Sequence, residues 1–194
     1  MAENIHPIYD RLVQRDEREA ANGHRGAVVW MTGLSGSGKS TIAIAAERKL
    51  FERGVFAQVL DGDNVRNGLN GNLGFSLDDR QENTRRVAEV AKLFVEAGAV
   101  VLCSFVSPTR EIRDTVRQIV GADDFLEVYV NTPLEICEQR DVKGLYAKAR
   151  SGELKNFTGI DSPYEPPINP FLELRTADLS VAQAADQLIE ALPL

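Results

Sequence analysis

The residues best suited to chemistry form a glycine-rich segment, Gly33-Leu-Ser-Gly-Ser-Gly-Lys-Ser40. It fits the pattern G-x-x-x-x-G-K-[ST] and lies between an apolar run and a helical pattern. Glycines let the backbone wrap closely, so that successive N–H groups point at phosphate oxygens. The spacing predicts that Lys39 reaches the β- and γ-phosphates of a nucleotide and that the Ser40 hydroxyl binds Mg²⁺. The segment therefore predicts binding of MgATP.

An acidic pair, Asp61 and Asp63, directly follows the second apolar run of the chain. P-loop GTPases and motor ATPases usually place an Asp at the end of an apolar strand to organise Mg²⁺ and water. Here the apolar run 99–105 leads into residues 106–108, which contain no acid. The acidic end at Asp61 instead favours a small-molecule kinase. In that role Asp61 organises Mg²⁺ through water and orients or deprotonates the acceptor hydroxyl.

Basic and aromatic side chains concentrate just after this acidic end, in a protein of formal net charge −7. Arg80 and Asn83 are three residues apart on a predicted helix and share a face. Such a face suits a phosphosulfate held by bidentate contacts, with Phe75 stacking on an adenine ring. Four arginines are predicted to lie beside the phosphate cradle: Arg66, Arg80, Arg85 and Arg86.

The apolar runs that must position these residues alternate with helical patterns. This alternation predicts an α/β fold, a parallel β-sheet flanked by helices on both faces. The predicted strands cover 27–31, 56–60, 99–105, 125–130 and 172–174. The predicted helices cover 39–52, run from Ser76 to Gly98, and begin near Pro108, Pro133 and Ser180. A segment rich in Gly, Pro and polar residues predicts a lid at about 143–165.

Ahead of a kinase domain at 26–194, residues 1–25 are predicted to form an N-terminal arm or helix. Residues 4–20 mix four apolar side chains with many charges, which fits either an amphipathic helix or a solvated arm. The apolar side chains are Ile5, Ile8, Leu12 and Val13.

Composition excludes several classes of protein. The 43% hydrophobic and 26% charged fractions are those of an ordinary soluble globular protein. The net charge of −7 argues against nucleic-acid binding. We find no apolar stretch near the roughly 18 residues of a membrane span, and no signal-peptide pattern at the N-terminus. Cys103 and Cys137 have no metal-binding spacing and are predicted to be reduced core thiols, as in a cytoplasmic protein.

Taken together, these residues resemble the adenylylsulfate (APS) kinase family, from about residue 27 to the C-terminus. The resemblance implies a P-loop fold of the nucleoside-monophosphate-kinase-like type with a lid, usually in a homodimer. It also implies the reaction ATP + APS → ADP + 3′-phosphoadenylylsulfate (PAPS), part of sulfate assimilation, with ATP sulfurylase as a functional partner. The matching stretches are 33–41, 61–66, 74–76, 79–86, 105–108, 140–146, 157–161 and 164–165.

The resemblance also implies roles for many of the matched residues. It implies that ATP is bound by Gly33, Ser35, Gly36, Ser37, Gly38, Lys39, Ser40, Thr41 and Leu179. It implies that APS is bound by Asp63, Asn64, Val65, Arg66, Phe75, Arg80, Asn83, Val106, Ser107, Lys143, Asn156 and Phe157. The catalytic residues would be Lys39, Asp61, Ser107 and Arg140, and the Mg²⁺ ligands Ser40 and Asp61. The sequence departs from the family at position 156, where Gly is more common than Asn.

Ser107 has two open roles. Bacterial members of the family are often described with a phosphoserine intermediate at this position. No residue near Ser107 in sequence is an obvious base, and direct transfer needs no covalent step. We therefore favour substrate binding by Ser107.

Two alternative functions stay open at this point. A nucleotide-sensing P-loop protein would bind without turnover, but the presence of Lys39, Ser40, Asp61 and Arg140 disfavours an inactive enzyme. A gluconate- or shikimate-type kinase would bind a smaller acceptor, and Phe75 and the basic lining weigh against it.

Overall fold

A computed structural model describes residues 6–194 and shows a parallel sheet between two layers of helices. Within this range the sheet has five strands in the order β2-β3-β1-β4-β5, and every neighbouring pair is parallel. This confirms the predicted α/β fold class. The strands are β1 (Ala27–Thr32), β2 (Ala57–Asp61), β3 (Val100–Ser104), β4 (Phe125–Asn131) and β5 (Leu172–Arg175).

The helices confirm most of the predicted pattern. Three of the long helices start at side-chain caps: Ser76 accepts from the Asp79 N–H, Thr109 from the Ile112 N–H and Ser180 from the Gln183 N–H. The helix that begins at Lys39 has no side-chain cap. Two short helices, α3 (Gly62–Arg66) and α7 (Leu145–Arg150), were not predicted. The helices are α1 (Arg15–Asn22), α2 (Lys39–Glu52), α3 (Gly62–Arg66), α4 (Leu77–Glu96), α5 (Arg110–Val120), α6 (Leu134–Arg140), α7 (Leu145–Arg150) and α8 (Val181–Ala191).

The central strands are buried on both faces, which explains their continuous apolar runs. On β1, Val29 and Met31 pack into the core beneath α2 and α8. Val28 and Trp30 point the other way, into the core beneath α4 and α5. Because β1 and β3 are neighbours, their carboxyl ends lie side by side, where open α/β sheets bind ligands.

Among the described residues, the N-terminal segment has a short 3₁₀ helix at Tyr9–Arg11 and an α-helix at Arg15–Asn22. The helix α1 begins at Arg15, and Ile8, Leu12 and Val13 precede it as exposed side chains. Ile5 lies outside the described residues. Arg15 attaches α1 to the body, donating to both carboxylate oxygens of Asp124 at 2.6 and 2.7 Å. Asp124 directly precedes β4, so α1 lies at the amino edge of the sheet.

Candidate active site

The phosphate-binding loop connects the end of β1 to the start of α2, as predicted. Gly33 shows why glycine is needed: its φ is +154°, and a Cβ there would lie 2.5 Å from the Val130 carbonyl oxygen. Gly36 also has a positive φ, +75°. The loop therefore follows a path that side-chain-bearing residues would oppose, and it leads into the amino end of α2, where backbone N–H groups attract anions.

Lys39 is buried at the base of this loop. Its Nζ donates to the carbonyl oxygens of Gly33 at 2.9 Å and Leu34 at 2.8 Å. Burial lowers the pKa of Lys39 to about 8, although the negative charge of Asp61 opposes the shift. The ammonium group therefore lies in a poorly solvated position among neutral partners, where a phosphate oxygen would be a strong additional partner.

This low pKa predicts a pH-dependent stability. The pKa of Lys39 is about 8 in the folded protein and near 10.5 when solvated, so the unfolded chain binds more protons between these values. The free energy of unfolding contributed by Lys39 should therefore rise with pH through that window, by at most about 3 kcal/mol. Urea unfolding of the wild type and Lys39→Met at pH 7 to 10 measures it. The variant should be more stable at pH 7 and lose that advantage by pH 10; an advantage constant with pH would contradict the assignment.

Ser40 and Asp61 form an oxygen-rich corner beside the loop. Ser40 Oγ donates to Asp61 Oδ2 at 2.6 Å and lies 3.1 Å from Ser104 Oγ. Asp61 Oδ1 accepts from the Asp63 N–H at 3.0 Å, which caps α3 and fixes the carboxylate. A hydroxyl and one carboxylate suit Mg²⁺, which commonly combines one or two carboxylates with water and substrate phosphates. Residues 6–194 contain no cluster of three or more His, Cys, Asp or Glu side chains placed to hold a metal.

A cavity of about 740 Å³ opens beside this corner at the carboxyl edge of the sheet. The phosphate-binding loop forms one wall, and α3, α4 and the lid segment form the others. The predicted site residues that line it are Ser35, Gly36, Ser37, Gly38, Lys39, Ser40, Thr41, Asp61, Asp63, Arg66, Phe75, Arg80, Asn83, Val106, Ser107, Arg140, Lys143, Asn156, Phe157 and Leu179.

Three predicted site residues do not line this cavity. Gly33 is buried at the start of the loop, where its lack of a side chain lets the backbone pass close to the Val130 carbonyl oxygen. Val65 packs into the core beneath α4. Asn64 is exposed. Their predicted ligand contacts stay predictions, and for Val65 such a contact would have to come from its backbone.

Arg66 and Phe75 together form an aromatic and cationic wall. The Arg66 guanidinium carbon lies 4.5 Å from the centre of the Phe75 ring, and Nη1 donates to the Gly74 carbonyl at 2.7 Å. Phe75 is nevertheless 67% exposed, so much of its side chain is available to a planar ligand. Arg80 donates to the Phe75 carbonyl at 2.9 Å and to the Asn156 carbonyl at 2.8 Å. This wall combines positive charge with a ring, as the sequence predicted.

The predicted placement of Arg85 and Arg86 beside the cradle is wrong. The Nε atoms of both arginines lie 2.7 Å from Glu82 on the same helix, and neither side chain lines the cavity. These hydrogen bonds hold the pKa of Glu82 at about 2. Arg85 and Arg86 pair with Glu82 because residues three and four apart on a helix are neighbours.

Asn70 was missed by the sequence analysis. It is fully buried, and its Nδ2 donates to the backbone carbonyl of Asn83 at 3.3 Å and to its Oδ1 at 3.0 Å. Asn70 therefore holds both the backbone and the side-chain amide oxygen of Asn83, a residue that lines the cavity. Asn70 lies in a Gly/Asn-rich loop, and no local pattern distinguishes it from a turn residue.

The predicted lid segment, 143–165, lines one side of the cavity. Lys143 forms an ion pair with Asp63, which joins the start of the segment to α3. Tyr146 donates to the Ser35 carbonyl at 2.9 Å and packs edge-on against Phe157, with ring centres 5.0 Å apart. Tyr146 was part of a matched stretch but received no role. Asn156 has a φ of +58°, a conformation that favours glycine and tolerates Asn better than most residues.

Arg140 lies against the phosphate-binding loop from the side of the lid. Its Nη1 donates to the Gly36 carbonyl at 3.2 Å and its Nη2 to the Thr176 carbonyl at 2.9 Å. Thr176, which the sequence analysis missed, also donates to the Ser37 carbonyl at 2.9 Å. Thr176 is separated by 139 residues from that partner, and only the fold brings them together.

Ser107 is buried at the cavity wall. Its Oγ accepts from Trp30 Nε1 at 3.0 Å, and no basic side chain hydrogen-bonds to that oxygen within the described residues. Its φ of +43° is unusual for serine. The hydroxyl therefore lacks the partner that activates a serine nucleophile.

Comparison with known proteins identifies the family. A sequence model of the family described as adenylylsulphate kinase matches residues 25–175. The chain belongs to the adenylylsulfate kinase family. The adenylyl-sulfate kinase of Phocaeicola vulgatus is 56% identical over 188 residues, covering 97% of this chain and 92% of that protein. That of Lactiplantibacillus plantarum is 57% identical over 180 residues, covering 93% and 87%.

Solved structures agree with this family assignment. The Mycobacterium tuberculosis APS kinase, solved in complex with AMPPNP and APS, is 54% identical with a TM-score of 0.83, covering 86% of this chain and 97% of that one. A gluconokinase from Sinorhizobium meliloti is 16% identical with a TM-score of 0.52, a likeness of fold alone. Among residues 6–194, no helix combines the length and apolar character needed to cross a membrane.

Proposed function

We propose that this adenylylsulfate kinase transfers the γ-phosphate of MgATP to the 3′-hydroxyl of APS, giving ADP and PAPS. The observation that carries the proposal is that one cavity contains both the phosphate-binding loop and the wall of Phe75, Arg66 and Arg80. The M. tuberculosis APS kinase was solved with an ATP analogue and APS bound together, which supports the same pair of ligands here.

In this proposal Asp61 acts on the acceptor. Its carboxylate lies at the end of β2, facing Ser40, and is fixed by the Asp63 N–H. It orients the 3′-hydroxyl and accepts its proton as the new P–O bond forms. Bound Mg²⁺, held by Ser40 and through water by Asp61, would neutralise charge on the phosphates. Lys39 and Arg140 stabilise the same charge from the protein side.

The acceptor nucleotide is assigned to the wall formed by α3, α4 and the lid. Phe75 would stack on the adenine, and stacking of this kind contributes about 1–3 kcal/mol per base. Arg66, Arg80 and Lys143 would neutralise the phosphosulfate. Asn83 would donate a hydrogen bond to an acceptor atom of the nucleotide. Gluconate and shikimate would leave Phe75 without a stacking partner.

Ser107 is expected to bind substrate and to remain unphosphorylated. Its hydroxyl accepts from Trp30, and among residues 6–194 no basic side chain hydrogen-bonds to it to remove its proton. Incubation with MgATP alone, followed by mass spectrometry of the peptide containing Ser107, should show no added phosphate. A stoichiometric phosphoserine that disappears on adding APS would reverse this assignment.

The lid at 143–165 is expected to close over both nucleotides. Lys143, Tyr146 and Arg80 already connect it to α3, the phosphate-binding loop and α4. ATP and APS together should therefore slow proteolytic cleavage within 143–165 more than either alone, as followed by mass spectrometry of the fragments. An equal cleavage rate with and without both ligands would count against a closing lid.

For assembly and location, we propose a cytoplasmic homodimer that works beside ATP sulfurylase. Both cysteines are buried free thiols, which fits a reducing compartment. The APS kinase from Thiobacillus denitrificans is described as hexameric; it is 30% identical to this chain, which spans only 31% of its length. Light scattering on the purified protein tests the dimer.

The experiment that tests the proposed function is an acceptor screen. ADP release from MgATP is measured with APS, gluconate or shikimate as the acceptor. The proposal predicts rapid release with APS and background release with the other two. Preference for gluconate or shikimate would identify a small-metabolite kinase, and tight ATP binding without ADP release under any condition would identify a nucleotide sensor.

A further inference from the structure

A buried cation outside the assigned site, Arg113 on α5, connects three separate parts of the protein. Its side chain is 2% exposed. Nε donates to Glu127 Oε1 at 2.6 Å, Nη1 to the Ser107 carbonyl at 2.8 Å and Nη2 to the Glu165 carbonyl at 2.7 Å. Every nitrogen of this guanidinium thus has a partner, and a buried charge needs such partners.

Two of these partners belong to segments that are assigned to the active site. Ser107 belongs to the loop after β3 that lines the cavity, and Glu165 lies at the end of the lid segment. The same two segments are joined again where the Glu165 N–H donates to the Pro108 carbonyl and Glu165 Oε2 accepts from the Arg110 N–H, both at 2.8 Å. The third partner, Glu127, belongs to β4 and anchors the arrangement to the sheet.

The conformation of Ser107 shows why this loop needs an anchor. Ser107 has a φ of +43° and Asn156 a φ of +58°, in the left-handed region that favours glycine, and both residues line the cavity. Such a conformation persists only where its surroundings hold it. Arg113 holds the Ser107 carbonyl on one side, while the Thr32 hydroxyl donates to the Val106 carbonyl at 2.8 Å on the other.

We propose that Arg113 is a positioning residue for the acceptor: it fixes the Ser107 loop and couples it to the base of the lid. The inference rests on the proposed function, since it assigns the Ser107 loop to the APS subsite. Loss of the three-way contact should loosen the APS subsite and the base of the lid together. The phosphate-binding loop is built from other contacts and should keep its affinity for ATP.

The test compares three variants with the wild type. Arg113→Lys keeps the charge beside Glu127 but lacks the planar fork that reaches all three acceptors. The double variant Arg113→Met with Glu127→Leu replaces the ion pair by apolar groups of similar size, a change that often preserves stability. Arg117→Lys, on the exposed side of the same helix, is the matched control.

We expect the KM for APS to rise about tenfold in Arg113→Lys and more in the double variant, as expected when charge-assisted hydrogen bonds are lost. The KM for ATP should stay within about twofold of wild type, and Arg117→Lys should match wild type in both. Equal changes in both KM values, or an unchanged KM for APS in the double variant, would overturn the inference.

A second measurement separates this inference from the proposed function. Hydrogen exchange of the amides in 156–166 should speed up in Arg113→Lys without any ligand, because the Glu165 contacts are weakened. Unchanged exchange there would overturn the role of Arg113 whatever the acceptor is. Failure of the wild type to use APS would instead overturn the proposed function.

Discussion

Replacing Asp61 by Asn is expected to lower kcat by roughly 10²–10⁴-fold, the usual contribution of a positioned acid or base. Asn keeps the shape and can still accept from the Asp63 N–H, so α3 should stay capped. It cannot take a proton, and it is a poorer partner for Mg²⁺. Steady-state rates of ADP release at saturating MgATP and APS measure the effect.

The matched control for this variant is Asp63→Asn, two residues away. Asp63 is exposed and forms an ion pair with Lys143, so its replacement should raise the KM for APS and change kcat much less. An unchanged kcat in Asp61→Asn, or an equal loss in both variants, would remove Asp61 from the chemical step.

Replacing Lys39 by Met is expected to lower kcat by roughly 10²–10³-fold, as for removal of one preorganised group that stabilises transition-state charge. Met fills a similar volume but carries no charge for the transferring phosphate. The fold should persist, because the variant removes a buried ammonium whose pKa is already lowered by desolvation. Single-turnover transfer measures the chemical step, and circular dichroism checks the fold.

Lys143→Met is the matched control for Lys39→Met, since it makes the same substitution on the acceptor side of the cavity. It should weaken APS binding, because the charge assigned to the phosphosulfate and the ion pair with Asp63 are both lost, and leave the KM for ATP unchanged. If Lys39→Met retained wild-type transfer, the assignment of Lys39 to the γ-phosphate would be wrong.

The elements and residues that could be predicted from the sequence are those set by local signals. The helix α2 covers the predicted 39–52, because the glycine-rich loop sets its start and Gly54 follows its end. The start of α8 follows from the Ser180 cap. The residues of the phosphate-binding loop follow one another in the chain, so the sequence alone predicts that they lie together in space.

The features that were not predicted are either very short helices or contacts between residues that lie far apart in the chain. The helices α3 and α7 span five and six residues, too short for a periodic pattern. An aspartate accepts N–H groups from the first turn of each: Asp61 accepts from Asp63 in α3, and Asp141 accepts from Tyr146 and Ala147 in α7. Arg113 reaches partners that lie 6, 14 and 52 residues away, and no local pattern contains that information.

The misplacement of Arg85 and Arg86 has a different cause. Their pairing with Glu82 at spacings of three and four could have been predicted from α4 alone. Net charge and clustering indicated a cationic cavity wall, but of the four arginines only Arg66 and Arg80 line the cavity. Helical phase therefore decides which arginines of a basic segment face a ligand.

The most direct test of the proposed reaction follows the phosphate itself. Purified protein is incubated with ATP labelled in the γ-phosphate, Mg²⁺ and APS, and the products are separated and mapped by mass spectrometry; APS lacking the 3′-hydroxyl is the control. The proposal predicts label on the 3′ position of PAPS and none transferred to the control compound. Label found only in inorganic phosphate, or equal labelling of the control compound, would contradict it.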